Sequence, residues 1–207
     1  MNSHNAVDRQ AAPSLPELTA RLRQRAVHEG LVDVAYTSMD TPIGRLLLAA
    51  TDQGLVRVAF SGEEERTLNY LALRLSPRVL EAPGRLDDAR RELDAYFEGK
   101  LRSFSVPIDW TLVGPFGRRV LDFTAGIPYG HVATYRQVAT SIGAPLASRA
   151  VGNALGANPL PVVIPCHRVT RTGGGLGGYG GGLPRKAFLL SLEGALPGAE
   201  PIATIRT

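Results

Sequence analysis

The chain has 207 residues and one cysteine, Cys166, which is followed at once by His167. A thiol beside an imidazole can be held as a thiolate, the nucleophilic form of cysteine. The plainer reading is a buried cysteine acting as a small apolar side chain. Cys166 is preceded by Val162, Val163, Ile164 and Pro165. This apolar, β-branched run is expected to be a buried strand or extended segment. Pro165 should end its pairing, because proline offers no N–H.

Other groups that could serve the thiol lie to either side. Glu193 falls near the end of a helix expected from Pro184 onward, where a carboxylate opposes the helix dipole. An acid so placed often has a cationic partner, and His167 is a candidate. Residues 173–182 hold eight glycines around Leu176 and Tyr179. Glycine this dense allows close approach of backbone to a ligand. The segment lacks a Gly-Lys-Ser/Thr ending, which argues against a phosphate loop. Its plain alternative is a flexible linker.

The elements before the cysteine must position it. Residues 116–125 read as a helix. Thr134 with Gln137 three residues on is a capping box, so another helix starts there and should stop near Gly143. A further helix is expected over 146–155, with small residues Ala147, Ala150 and Ala154 and with Arg149 near its start. Two short helices joined by a glycine-containing turn are a candidate helix-turn-helix, or an ordinary helical corner.

The first half of the chain shows no catalytic constellation. Three strands expected over 32–60 form an antiparallel meander, with turn chemistry at Thr41-Pro42-Ile43-Gly44 and Thr51-Asp52-Gln53-Gly54. Helices follow at 63–75 and 86–99. Residues 104–110, with Pro107 inside, read as an edge strand or linker. Residues 1–30 read as an appendage with one short basic helix, and 196–207 as a tail.

Composition narrows the function. Residues 111–207 carry nine Lys/Arg against three Asp/Glu, a balance of +6, while residues 1–110 stand at −2. The cysteine therefore lies in the basic half, which points to a polyanionic partner. A single cysteine cannot form an internal disulfide, which fits a reducing cytoplasm. No window suits a membrane span. The histidines show no ligand spacing, and no metal is expected.

Taken together, Pro165-Cys166-His167-Arg168-Val169 resembles the active-site signature of the O6-alkylguanine–DNA alkyltransferases, also called methylated-DNA–protein-cysteine methyltransferases. Ile127-Pro128-Tyr129-Gly130, Thr134-Tyr135, Arg149-Ala150-Val151-Gly152, Asn158-Pro159, Tyr179, Gly181-Gly182-Leu183 and Leu189-Leu190 with Glu193 occur in that family's order and spacing. The strong match covers about residues 107–194. The resemblance implies an α+β protein in two parts: an RNase H-like scaffold at 31–104, and a mostly helical DNA-binding and alkyl-acceptor domain at 105–195. Cys166 would accept the alkyl group, His167 would draw its proton through a water, and Glu193 would orient His167. Tyr135 would pack on the flipped guanine and help protonate it. Asn158 would tie the helical motif to the active-site segment. Arg149 would fill the space of the extruded nucleotide. Tyr135, Arg136, Ala150, Gly152, Arg168 and Thr172 would join Arg149 on DNA. Main-chain groups of Cys166, Val169 and Gly180, with Tyr179, would contact the base. The partner implied is double-stranded DNA bearing O6-alkylguanine, or O4-alkylthymine, approached from the minor groove by a monomer. No cofactor is implied. The residue readings alone leave two alternatives open: a Cys–His thiol hydrolase, and a DNA-lesion-binding module without chemistry.

Overall fold

Period-two burial in one strand sets the architecture. Strand β2 (Leu46–Thr51) lies between β1 (Val34–Met39) and β3 (Gly54–Phe60), antiparallel to both. Successive side chains of a strand point to opposite faces. Leu46, Leu48 and Ala50 accordingly enter the main core, while Ala49 packs with Val34, Val56 and Leu71 on the other side. The computed structural model describes residues 13–173 and 175–195. The readings of residues 1–12, Gly174 and the tail at 196–207 lie outside the described residues.

Helix α2 (Glu64–Arg74) supplies Leu71 to that second face. The chain then crosses to a strand that the sequence reading missed, β4 (Val79–Glu81), which runs parallel to β1 and completes the order β3-β2-β1-β4. Three half-buried residues give neither alternation nor an apolar run, so nothing marked it. The helix expected over 86–99 forms, one residue shorter at its start and two at its end. A 3-10 turn at Pro83–Leu86 leads into α3 (Asp87–Phe97), whose Ala89, Leu93 and Tyr96 share one buried face. Residues 104–110 attach to β3 through one parallel bridge between Leu55 and Ile108. Leu55 N donates to Pro107 O at 2.8 Å, and Asp109 N to Leu55 O at 3.0 Å. The approach is so close that any Cβ at Gly54 (φ +139°) would collide with the Pro107 carbonyl.

The second half is helical: α4 (Pro115–Ala125), α5 (Tyr135–Ser141), α6 (Ser148–Gly156) and α7 (Leu183–Leu192). The capping box forms as read. Gln137 N donates to Thr134 Oγ1 at 3.2 Å, and Thr134 N to Gln137 Oε1 at 2.7 Å. Helix α6 begins at Ser148 rather than at 146, leaving Leu146 fully exposed in the turn. A second small sheet pairs β5 (Ala133–Thr134) with β6 (Val169–Thr170) in parallel. One continuous core runs through both halves, from Leu48 and Tyr96 to Val163 and Leu189. At the start of the described chain, α1 (Leu15–His28) leaves Leu15, Leu18 and Leu22 exposed and meets the rest through Arg23 Nη1 and Glu81 Oε2, 2.8 Å apart. Among the described residues no helix is long and apolar enough to cross a membrane.

Candidate active site

The run before the cysteine is not a strand. Residues 160–164 close on themselves: Ile164 N donates to Leu160 O at 2.8 Å, and Val162 takes a left-handed φ of +76°. A β-branched residue there is strained, at a cost of about 1–3 kcal/mol. Asn158 holds the turn from outside, its Nδ2 donating to Ile164 O at 2.9 Å and its Oδ1 accepting from Leu160 N at 3.0 Å. The apolar pattern reported burial correctly. Prolines 159, 161 and 165 withhold three ladder donors, and the Asn158 amide takes the groups that a strand would pair. Val58 N of β3 donates to Pro159 O at 2.8 Å, which fastens the turn to the first half. Cys166, His167 and Arg168 then form one 3-10 turn, all buried.

Glu193 gathers this turn. His167 Nε2 lies 2.9 Å from Glu193 Oε1. Arg168 donates to both carboxylate oxygens, Nε to Oε2 at 2.8 Å and Nη2 to Oε1 at 2.9 Å, and its Nη1 reaches Ile127 O at 2.6 Å. Tyr96 Oη donates to Oε1 at 2.6 Å. Burial opposes the charge on Glu193, but the bonds from His167, Arg168 and Tyr96 outweigh it and hold the carboxyl at about 2. The ionised acid can only accept, so the imidazole proton sits on Nε2 and Nδ1 carries the lone pair. Burial lowers the His167 pKa below its ordinary value against the pull of Glu193, so the ring is neutral. Nδ1 is sealed from solvent and has no partner among the described residues. It is a base with its hydrogen-bonding capacity unspent.

Two members of this network change the sequence reading. Arg168 was expected on DNA. It is only 5% exposed, and its guanidinium is committed to Glu193 and Ile127, so it is a structural cation rather than a DNA contact. Tyr96 comes from α3, in the half read as lacking functional groups. Its helical spacing marked it as core, which it also is.

The thiol has its own surroundings. Burial pushes the Cys166 pKa up, while the Asn158 side chain and the Lys186 charge pull it down. Lys186 also escaped the sequence reading. Its ammonium is fully buried, donating to Val169 O at 2.5 Å and Gly178 O at 3.3 Å, and burial lowers it to about 8. It thus joins the segment after Cys166 to the glycine-rich loop. Arg185 holds the same loop against the first half through Gly181 O at 2.9 Å and Ile43 O at 2.7 Å. Gly181 faces Phe60 so closely that a Cβ would lie 2.6 Å from Cζ.

A cavity of about 260 Å³ opens onto Cys166 between Tyr135, Gly152 and Gly156 of the helical pair and Gly178, Tyr179 and Gly180 of the loop. The pairing of β5 with β6 explains why Tyr135 stands there. Ala133 pairs with Val169 and Thr134 with Thr170, so the residue after β5 is brought beside the residues following Cys166. On α6, Arg149, Gly152 and Gly156 fall on one helical face, with Arg149 exposed. Arg136, Ala150, Thr172 and Gly180 are also exposed. The Val169 side chain is buried. Its carbonyl accepts from Lys186, and its N–H donates to Cys166 O. Tyr179 Oη is buried without a partner among the described residues. Among the described residues no group of three or more His, Cys, Asp or Glu side chains comes together to hold a metal.

Family models match both halves of the chain. Residues 34–110 match the ribonuclease-like domain of 6-O-methylguanine DNA methyltransferase, and residues 115–195 match its DNA-binding domain. The chain belongs to the 6-O-methylguanine DNA methyltransferase family. Relatives in that family include a methylated-DNA–protein-cysteine methyltransferase of Methanosarcina acetivorans, 39% identical over 77% of this chain and 98% of its own. Another, from Mycolicibacterium paratuberculosis, is 42% identical over 77% of this chain and 92% of its own. The crystal structure of Mycobacterium tuberculosis OGT in complex with DNA superposes with a TM-score of 0.68 at 39% identity, over 77% of this chain and 92% of that one. The methyltransferase of Pyrococcus kodakaraensis gives 0.55 at 26% identity, over 78% and 99%.

Proposed function

We propose that this methyltransferase-family chain repairs DNA by moving the alkyl group of O6-alkylguanine, and of O4-alkylthymine, onto Cys166. The observation that carries the reading is the buried Glu193–His167 pair next to Cys166, which itself lines a cavity walled by Tyr135 and the glycine-rich loop. Glu193 fixes the imidazole, and His167 Nδ1 takes the thiol proton through a water. The Sγ lone pair attacks the alkyl carbon, the bond from that carbon to O6 breaks, and its electrons return to the purine. Tyr135 delivers the balancing proton to the leaving base. The thioether is not hydrolysed, so each chain acts once.

The lesion lies inside a stacked duplex, so the nucleotide must be extruded at a cost of a few kcal/mol. Arg149 stands exposed on the face of α6 that also holds Gly152 and Gly156, fitting a side chain that replaces the extruded base. Small residues on that face suit close approach to a minor groove. Arg136, Ala150 and Thr172, also exposed, would join Arg149 on DNA. Asn158 keeps the turn in register with the helices. Residues 31–104 serve as the scaffold domain and 105–195 as the acceptor domain of a cytoplasmic monomer. A thiol hydrolase would need many turnovers, and a module without chemistry would not need the acceptor thiol. Titration with duplex bearing O6-methylguanine separates the three: one methyl accepted per chain supports transfer, and continued turnover or no transfer contradicts it.

A further inference from the structure

One oxygen of Glu193 is overcommitted. Oε1 receives Tyr96 Oη at 2.6 Å, His167 Nε2 at 2.9 Å and Arg168 Nη2 at 2.9 Å. A carboxylate oxygen offers two lone pairs, so three donors share what two would fill. Oε2 is less crowded, with Arg168 Nε at 2.8 Å and the Gly130 N–H at 3.5 Å. His167, Arg168 and Glu193 all belong to the second half of the chain. Tyr96 reaches the acid from α3, in the half proposed above as scaffold. Its ring cannot swing away. It is fully buried, with the rings of Phe97 and Phe104 each 5.4 Å from its own and that of Tyr129 at 6.1 Å. Burial and the adjacent carboxylate push the Tyr96 pKa well above its ordinary value, so the hydroxyl stays a donor.

We propose that Tyr96 is a positioning residue for alkyl transfer: by occupying Glu193 Oε1 it weakens the hold of that oxygen on His167, and so keeps the imidazole neutral and able to take the thiol proton as the medium turns acidic. The inference rests on the alkyl-transfer reading above and gives the first half a part in it. A neutral imidazole accepts the thiol proton, and an imidazolium cannot. With the Tyr96 hydroxyl gone, Oε1 turns its freed lone pair to His167 Nε2, the imidazolium is stabilised, and transfer is switched off at a higher pH. The other groups facing the ring do not do this. Arg168 of the same turn and Lys186 of α7 oppose its protonation through their charges. Cys166 is its neighbour in the turn, and the Tyr179 ring lies edge-on at 6.4 Å. Tyr129 Oη donates to Leu192 O at 2.9 Å. Of the three donors on Oε1, only Tyr96 can be removed without touching the base or a cation.

Two pH titrations of the full chain test this in Tyr96→Phe, which keeps the ring and its packing. One follows the His167 imidazole by NMR, and the other follows single-turnover transfer from a duplex holding O6-methylguanine. Both should give an acid midpoint about one pH unit higher in Tyr96→Phe than in the unaltered protein. The midpoint is read apart from the plateau rate, which reports how firmly Glu193 is held. A 3-fluorotyrosine installed at position 96, a stronger donor, should lower both midpoints. Phe104→Leu loosens the packing of the Tyr96 ring without touching Oε1, and its midpoints should stay where they are in the unaltered protein. Midpoints that stay in place or fall in Tyr96→Phe, or that rise with the fluorinated ring, overturn the proposal. An equal rise in Phe104→Leu also overturns it, since packing rather than the hydrogen bond would then set the basicity. The imidazole titration needs no substrate. If the unaltered protein transfers no methyl group, the alkyl-transfer reading fails by itself, and the NMR midpoints still decide whether Tyr96 restrains the basicity of His167.

Discussion

Tyr96 Oη, on a helix of the first half, donates to Glu193 Oε1, the same oxygen that receives His167 Nε2. A hydrogen bond to a buried carboxylate contributes about 1.5–3 kcal/mol. Tyr96→Phe keeps the ring packing and removes only that bond. Urea unfolding should show a loss of about 2 kcal/mol. Transfer should slow by less than about tenfold, because Arg168 and His167 still hold the acid. A stability equal to that of the unaltered protein would mean that the bond contributes nothing.

Glu193→Gln removes the charge that fixes the imidazole proton on Nε2. The amide can turn its NH₂ toward the ring and impose the opposite tautomer, while the Arg168 guanidinium is left buried and unpaired. Transfer should fall by about a hundredfold or more, by analogy with loss of the orienting acid in hydrolytic triads. Stability should fall by about 3–5 kcal/mol. Single-turnover transfer and urea unfolding read the two effects separately.

The acid dependence of folding follows from the same group. Glu193 is held at about 2 in the folded chain against an ordinary 4.5. As pH falls below 4.5, the unfolded chain takes up this proton while the folded chain does not, so stability is lost until pH passes through about 2. Between pH 5 and pH 3 the unaltered protein should lose about 2 kcal/mol more than Glu193→Gln does. Parallel pH profiles for the two proteins would contradict this.

How much of this was legible beforehand depends on the signal each residue leaves. The capping box at Thr134 and Gln137 and the three-strand meander were readable, because local chemistry or spacing specifies them, whereas His167 was only a candidate partner for Glu193 until the resemblance paired the two. The turn at 160–164 was not. β-Branched residues mark burial, and only the three prolines and Asn158 hint that the conformation differs. Tyr96 and Lys186 left no signal of their own, since each looks like an ordinary core or surface residue until the fold sets it beside its partners. Arg168 misled for the converse reason: the resemblance set it among the DNA contacts, and only its neighbours show that it is spent on Glu193.

Arg149→Ala should separate extrusion from chemistry. Arg149 is exposed on α6 and has no place in the Glu193 network. Transfer from duplex O6-methylguanine should slow by about tenfold or more, reflecting part of the few kcal/mol needed to hold the nucleotide out. Transfer from the free base should be unchanged. Equal slowing with both substrates would remove Arg149 from the extrusion role.

Lys186→Met removes a buried cation that joins Val169 O to Gly178 O. Lys186 is lowered to about 8 from an ordinary 10.5, so the unfolded chain binds its proton more tightly. The unaltered protein should therefore gain stability relative to Lys186→Met as pH rises from 8 toward 10.5. A flat difference across that window would show that the ammonium is not buried as described.

The thiol of Cys166 is the atom on which every step converges. Intact-mass measurement after mixing the protein with a duplex holding one O6-methylguanine, followed by peptide mapping, reads it directly. A gain of one methyl, confined to Cys166 and absent in Cys166→Ala although that variant still binds DNA, is the expected result. An unchanged mass, or a methyl found on any other residue, would contradict it.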